Sequence, residues 1–535
     1  MQKCKYLARV IKSRRAPPWP SPPTTDLPPK DIADKLVDCY IRTIESVYRI
    51  LHLPSFRRDY EAIWASNTEP DIQFLVQLKL VLAIGGTTYD DEFSMRASAV
   101  HWVYEARSWS SEPEFKPRLR IETLQTNILL LIAQETAGVG KGSTWISVGA
   151  LLRTAIYMGL HRDPELLPKR TIFAAEMRRR LWNTILEIAL QSSLDSGGPP
   201  LVSIDDFDAE PPSNFDDNQL VANDPVVKAE DVFTEVSIAI ALRKTFPIRL
   251  KIIKFLNGLG TCDTYSEALR LDAELRELYK ALCRTILGYK SGAGRLPSQF
   301  DTQVVDFIMH RYFSSLHIPF FGLSHETVYA FSRKVVIETS LKIWHAVFPP
   351  PTRRSTHAGS DTFAPCQGSS EDLVRLAVCG SGFFCTVAYQ ASLLIAAELK
   401  AQLQEEQGLS PVPLRPDLVY VLDDAKSWAL QCLKAGETNT KGYIMLCMVT
   451  AQIEALKKGL EGNEIAMLIV KALEKAEQTC LPILEGKAAQ AQTGPFSSNP
   501  SPKTIYDVDF MVCPNFRPPN HLKLITYHTD DRCPV

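Results

Sequence analysis

The segment Gly138-Val139-Gly140-Lys141-Gly142-Ser143-Thr144 comes nearest to a phosphate-cradling loop. Such a loop needs a glycine, four residues and then Gly-Lys-Ser/Thr, so that backbone amides and one lysine surround the phosphates. Here glycine follows Lys141, and Glu135 stands where the first glycine belongs. His325-Glu326-Thr327-Val328-Tyr329 opens like a zinc-protease helix, but Tyr329 occupies the place of the second histidine. One imidazole leaves the metal without half its nitrogen ligands. Asp205-Asp206-Phe207-Asp208 lacks the spacing and the glycine of a calcium loop. Gly380-Ser381-Gly382 lacks the G-x-S-x-G form of a nucleophile elbow and follows no strand pattern. These residues give no catalytic, cofactor-binding or metal-binding signature, and the chain is not expected to be an enzyme.

The twelve cysteines are scattered singly with no C-x-x-C, and the closest pair is Cys379 and Cys385. Cys283, Cys432 and Cys447 fall among apolar residues, which suits reduced, buried thiols rather than a disulfide framework. Hydrophobic residues make up 45% and charged residues 22%, the balance of a chain that buries a core. A net charge of −2 gives the chain as a whole no attraction to nucleic acid or to an anionic membrane. The basic N-terminus lacks the apolar core of a signal peptide, and no uninterrupted run approaches the roughly 18 apolar residues that span a bilayer. No membrane partner is expected.

The elements that must position any site read as helices. Residues 1–30 open with six Lys or Arg in fifteen positions and turn proline-rich, which predicts an extended linker. From Lys30, apolar residues recur at three- and four-residue spacing through Tyr48, and Leu51-His52-Leu53-Pro54-Ser55-Phe56 breaks the pattern. Further helices are predicted over 72–84 (stopped by Gly85-Gly86), 94–109, 119–136, 229–255, 265–288, 300–316 (closed at Pro319) and 326–347. A loop over 348–370 follows. Helices resume over 371–403, 415–434, 441–460 and 464–480, within a helical C-terminal part at 371–486. Residues 487–535 lack periodicity and predict a disordered tail. Period-2 runs and hairpin dipeptides are nearly absent, so the fold class is all-α, a large multi-helix domain over 31–347 with helical additions.

The stretch Trp145 to Asp217 is the most patterned. Trp145, Val148, Leu152, Ala155 and Ile156 share one helix face, and Gly159 is a natural stop beyond its end. Leu160-His161-Arg162-Asp163-Pro164 turns. A second helix from about Thr171 carries Met177, Leu181, Trp182, Ile185, Ile188 and Ala189 on its apolar face, with Glu176 placed to pair with Arg180 four residues on. Arg178-Arg179-Arg180 could contact a polyanion. From Leu181 to Val227, however, there are nine Asp or Glu and no Lys or Arg. Internal pairing of the arginines with this acidic exit, or with Asp163, is the expected arrangement.

The order G-A-L-L-R-T-A-I-Y-M-G-L-H-R-D-P, E-M-R-R-R-L-W and S-G-G-P-P…D-D-F-D…P-P-S-N-F-D-D resembles the regulatory middle homology region of fungal zinc-cluster transcription factors. The resemblance rests on Trp145, Gly159, His161, Arg162, Asp163, Glu176, Arg179, Arg180, Leu181, Trp182 and Pro199. It extends to the H-x-P-x-F segment at His52–Phe56 and the Y…L-H-x-P-F segment at Tyr312–Phe320, covering about residues 35–345. Two positions depart from the family pattern: Asn183 replaces a second tryptophan, and Gly198 replaces an arginine. The resemblance implies a nuclear regulator of RNA polymerase II genes, for a metabolic pathway or secondary-metabolite cluster. Its implied partners are the transcriptional machinery or another regulator, a small-molecule effector and a second copy in a homodimer. The family's zinc module uses six cysteines upstream of this region. Only Cys4 and Cys39 precede the helical domain here, so no cofactor is expected in this chain, and DNA contact is expected only indirectly or through a module these residues do not contain. Two alternatives stand beside this: a truncated zinc-cluster activator, and a helical metabolic enzyme or small-molecule-binding protein.

Overall fold

In the computed structural model, the described residues are 1–65, 70–112, 119–140, 142–222, 224–258, 264–291, 295–322, 327–349, 371–405 and 414–493. Among them, nineteen α-helices follow one another without a strand. They are α1 (Gln2–Arg15), α2 (Lys30–Arg42), α3 (Ile44–Val47), α4 (Leu53–Ala65), α5 (Ile72–Tyr89), α6 (Arg96–Ser110), α7 (Ile121–Ala137), α8 (Thr144–Tyr157), α9 (Ile172–Ser196) and α10 (Ser237–Lys244). Next come α11 (Phe246–Asn257), α12 (Tyr265–Gly288), α13 (Gln299–Phe321), α14 (Ala330–Val347), α15 (Asp372–Cys379), α16 (Phe383–Glu405), α17 (Pro416–Lys434), α18 (Lys441–Lys457) and α19 (Asn463–Thr493). The all-α expectation holds.

The core forms around α5, which is buried from Leu75 to Thr88 and packs against α2, α6 and α7. Gly85 and Gly86 do not end this helix. A side chain on Gly85 would lie 2.0 Å from the Leu36 carbonyl oxygen of α2, so glycine sets how closely the two helices approach. By length and composition α5 and α16 could each cross a bilayer, but both are mostly buried among other helices. Lys79, midway along α5, is 1% exposed and bonds Glu105 at 2.6 Å and the Thr24 carbonyl at 2.7 Å. A single apolar cluster runs from Ala33 in α2 to Ile453 in α18, and α14 packs on α16, so no break in the core divides 31–347 from the helices after 371.

Several boundaries differ from the pattern reading. The predicted helix over 229–255 starts only at Ser237 and is two, α10 and α11, because Pro247 sits in the first turn of α11 and has no amide to continue α10. Pro319 lies inside α13 rather than beyond it. It falls in the last turn, where buried Phe320 and Phe321 hold the end. The stretch over 371–403 breaks at Gly380-Ser381-Gly382 into α15 and α16.

Residues 1–30 are not a linker throughout. α1 is helical and packs on α19, with Cys4 and Ile11 buried against Leu433, Cys480, Leu484 and Ala488. The polar ends of the pair also meet. Lys3 bonds Glu485 at 2.8 Å, Arg14 bonds the Ala488 carbonyl at 2.6 Å, and Arg15 bonds the Gly436 carbonyl at 2.7 Å. Charged residues dominate the composition of α1, but its two buried positions lie seven apart on one face. For the same reason α19 continues to Thr493, past the predicted start of the tail at 487. The remainder of that tail, and the loop over 350–370, lie outside the described residues.

Candidate functional site: a buried charge network in the central hairpin

α8 and α9 form the hairpin that the pattern predicted, joined by a turn built for it. Gly159 takes a φ of +74°, and the Leu160 amide bonds back to the Ala155 carbonyl at 2.9 Å, closing α8. Asp163 caps the short turn Pro164–Leu166 by accepting from the Glu165 amide at 3.0 Å. Thr171 caps α9 by accepting from the Ala174 amide at 3.2 Å.

The arginines of α9 face inward. Arg179 holds both Asp163 oxygens, Nη2 to Oδ1 at 2.7 Å and Nε to Oδ2 at 3.0 Å. Its Nη1 also bonds Glu176 Oε1 at 2.9 Å. Glu176 in turn accepts from the Ser213 amide at 2.9 Å, and Asp163 accepts from the Glu210 amide at 3.0 Å. The acidic exit is therefore strapped to the hairpin through its backbone. Arg180 bonds Asp217 at 2.5 Å, and Asp217 also receives Arg49 at 2.8 Å and the Leu53 amide at 2.9 Å. Although burial opposes ionisation, these two guanidiniums and the amide hold the Asp217 carboxyl well below the usual range. Arg178 bonds the Met158 carbonyl at 2.6 Å.

The Glu176–Arg180 pair expected from spacing does not form. Arg180 turns to Asp217, and Glu176 takes Arg179 one residue nearer. Arg178, Arg179 and Arg180 are 7%, 7% and 1% exposed, so none presents a guanidinium to an outside polyanion.

The remaining motif residues surround this network. Arg162, at the surface, bonds Asp208 at 2.8 Å. The His161 carbonyl accepts from the Asp208 and Ala209 amides at 3.0 and 3.1 Å. Trp182 and Leu181 are fully buried, and Trp182 packs edge-on to Phe207. The Trp145 indole lies over Gly198, where any Cβ would approach its ring to 2.8 Å. The indole has the space that an arginine side chain there would need. Ser193 bridges Trp145 Nε1 and the Pro199 carbonyl, each at 3.4 Å.

Three other buried charge groups escaped the pattern reading. Arg49 leads the H-x-P-x-F segment and joins it to Asp217. Glu45 accepts from Tyr40 and from the Ile50 and Leu51 amides, and burial pushes its carboxyl up to about 7. Arg249 grips both oxygens of Glu187, at 2.5 and 2.7 Å. A lone arginine in an apolar run is the signal that could have found Arg49 and Arg249.

Lys141, His325 and Glu326 lie outside the described residues. Cys4 packs in the α1–α19 cluster, whereas Cys39 is buried in α2, so these two thiols do not form a zinc site. Nothing in the network aligns a nucleophile with a base at a reachable surface. It locks a turn, the acidic exit segment and two helices into one geometry.

Residues 37–281 match the fungal specific transcription factor domain. The chain is 31% identical to Transcription factor opdR of Penicillium oxalicum, over 95% of this chain and 67% of that protein. It is 30% identical to Transcription factor lepE of Aspergillus flavus, over 96% of this chain and 62% of that protein. The chain belongs to the fungal-specific transcription factor family. This family and these relatives are transcription factors, not enzymes. Among the other fungal transcription factors that match is the Aspyridones cluster regulator apdR of Emericella nidulans, 28% identical over 79% of this chain and 57% of that protein. The chain thus spans about three fifths of the length of these relatives. No solved structure matches it.

Proposed function

We propose that this fungal transcription factor domain acts in the nucleus as a regulator of a secondary-metabolite gene cluster transcribed by RNA polymerase II. The observation that supports this most is the 31% identity to a named transcription factor along 95% of the chain. The name of apdR adds the cluster-specific part. The domain works by binding, to a small-molecule effector, to a second copy or to another regulator. With Arg178, Arg179 and Arg180 turned inward, DNA is reached through a zinc module outside these residues or through a partner.

The test has two arms. Deleting the gene should change transcripts of one co-located biosynthetic cluster by about tenfold or more, and a fluorescent fusion should concentrate in nuclei; unchanged transcripts would overturn the reading. The purified chain, titrated with promoter DNA at roughly 50 to 200 mM salt, should show only weak binding that collapses as salt rises. Tight, sequence-selective binding by this chain would overturn the assignment of DNA contact elsewhere.

A further inference from the structure

α1 covers only the C-terminal part of one face of α19. On that face Glu477, Cys480, Leu484 and Ala488 recur at three- and four-residue spacing. The Met1 amine meets Glu477, and Lys3 bonds Glu485 at 2.8 Å. Cys480, Leu484 and Ala488 are buried with Cys4 and Ile11. The same spacing carries the face back through Leu473, Val470 and Ala466, with Met467 beside them. Here the face is open. Met467 and Val470 are 68% and 52% exposed, Ala466 is exposed and Leu473 is half-buried. None of the four belongs to an apolar cluster of the described residues. α18 packs along α19, yet this side of 465–470, six apolar residues in a row, stays in water.

Contiguous exposed apolar surface rimmed by polar residues marks an interaction site. The covered half shows what chemistry this face takes. α1 brings six Lys or Arg and no Asp or Glu, and it sets its apolar positions in the seam and its amine and Lys3 on the two glutamates. The open half repeats that layout. Glu474 is exposed, lies about three turns before Glu485 on the same side, and has no ion-pair partner among the described residues. Lys471 and Lys475 fall outside the face by spacing. The chain's own tail, 494–535, is a poor match, with four Lys or Arg against four Asp. A second copy would set the same glutamates against these.

We propose that the N-terminal half of this α19 face, Ala466, Met467, Val470 and Leu473 with Glu474, docks a basic amphipathic helix of a partner protein. The apolar side of that helix covers Met467 and Val470, as α1 covers Leu484, and its Lys or Arg residues meet Glu474. This rests on the binding of another regulator in the proposed function and names the kind of segment which that regulator brings.

The probe is a fluorescent peptide of the α1 sequence, Gln2–Arg15 carrying Cys4→Ser, added to the whole purified chain. The tethered α1 outcompetes it for its own seat, so the free peptide reports on the open half. A control peptide has glutamate at every Lys and Arg position. Anisotropy should show saturable binding of the basic peptide, at least about tenfold tighter than that of the acidic one. Val470→Asp, at an exposed position, should weaken it at least about tenfold, and Glu474→Lys about threefold. When the peptide binds the unsubstituted chain, hydrogen exchange should slow over 463–474. Equal binding of the acidic peptide, unchanged binding in Val470→Asp, or protection confined to 477–488 would overturn the proposal. Binding that appears only after 494–535 are removed would give the face to the tail instead. A chain that dimerises alone in sedimentation and turns monomeric in Val470→Asp would give it to a second copy. The exchange arm needs no variant, so a misfolded Val470→Asp would not leave the question open. Transcript changes on gene deletion decide the regulator reading separately, so either can fail alone.

Discussion

At the scale of single residues, this domain is organised by charges that it has removed from water. Breaking one member of a buried pair strands the other, which typically costs about 3–5 kcal/mol. Arg180→Ala should therefore lower stability by about that much, read as a shift of the urea midpoint with little change in slope. Arg162→Ala, which loses only a surface pair with Asp208, should cost less than about 1 kcal/mol. Equal effects would mean the network is no more than surface decoration. Acid should act through the same group. Asp217 has a folded pKa below its unfolded value, so its stabilising contribution is complete above about pH 4 and is lost as pH falls toward the folded pKa. His310 adds a slope nearer neutrality. Burial, reinforced by Lys342, lowers its folded pKa to about 4. Its unfolded value is about 6.5, so stability is full above that and declines as pH drops from about 6.5 to 4. Substituting His310→Asn should flatten urea midpoints across that window; an unchanged profile would show that another group titrates there.

At the scale of elements, close approach of helices decides the outcome. Gly85→Ala places a methyl against the Leu36 backbone carbonyl, an atom that cannot rotate away. Gly86→Ala meets the Met95 Cβ and the Phe93 ring edge at 3.3 Å, which a small side-chain shift relieves. The first should lower the thermal midpoint far more than the second, by roughly 1–3 kcal/mol or more against less than about 1. The contrast also shows where the sequence was legible. Helix periodicity located most elements, and Gly159, Asp163 and Thr171 marked the hairpin ends, because those signals are local. Gly85-Gly86 looked like a stop because its reason for being glycine lies on α2, about fifty residues away. The partners of Arg180 were unreadable in the same way. Spacing offers Glu176, but only the folded exit segment brings Asp217, whose charge is shared with Arg49. Pro247 is a local signal, but it sits in an apolar run whose helical spacing continues through it.

At the scale of the whole molecule, the chain is fastened near both described ends. Removing residues 1–16 uncovers Leu433, Cys480, Leu484 and Ala488 at once. The truncated chain should bind a hydrophobic dye and show faster hydrogen exchange along α19, with α5 and α9 unaffected. Protection of α19 that survives the truncation would mean that α18 alone holds it. A gentler probe, Ile11→Asp, should give the same pattern by placing a carboxylate in that apolar seam.

The pairing of α1 with α19 also sets a clock during synthesis. Arg14 and the Ala488 carbonyl that it grips are 474 residues apart. At roughly 5–20 residues per second, the ribosome takes on the order of half a minute or more to deliver that partner. For that interval the first helix is outside the ribosome with Cys4 and Ile11 uncovered, while the central helices can already fold behind it. The last fastening of this domain must therefore wait until Ala488 has left the ribosome, and until then α1 is open to chaperones and proteases.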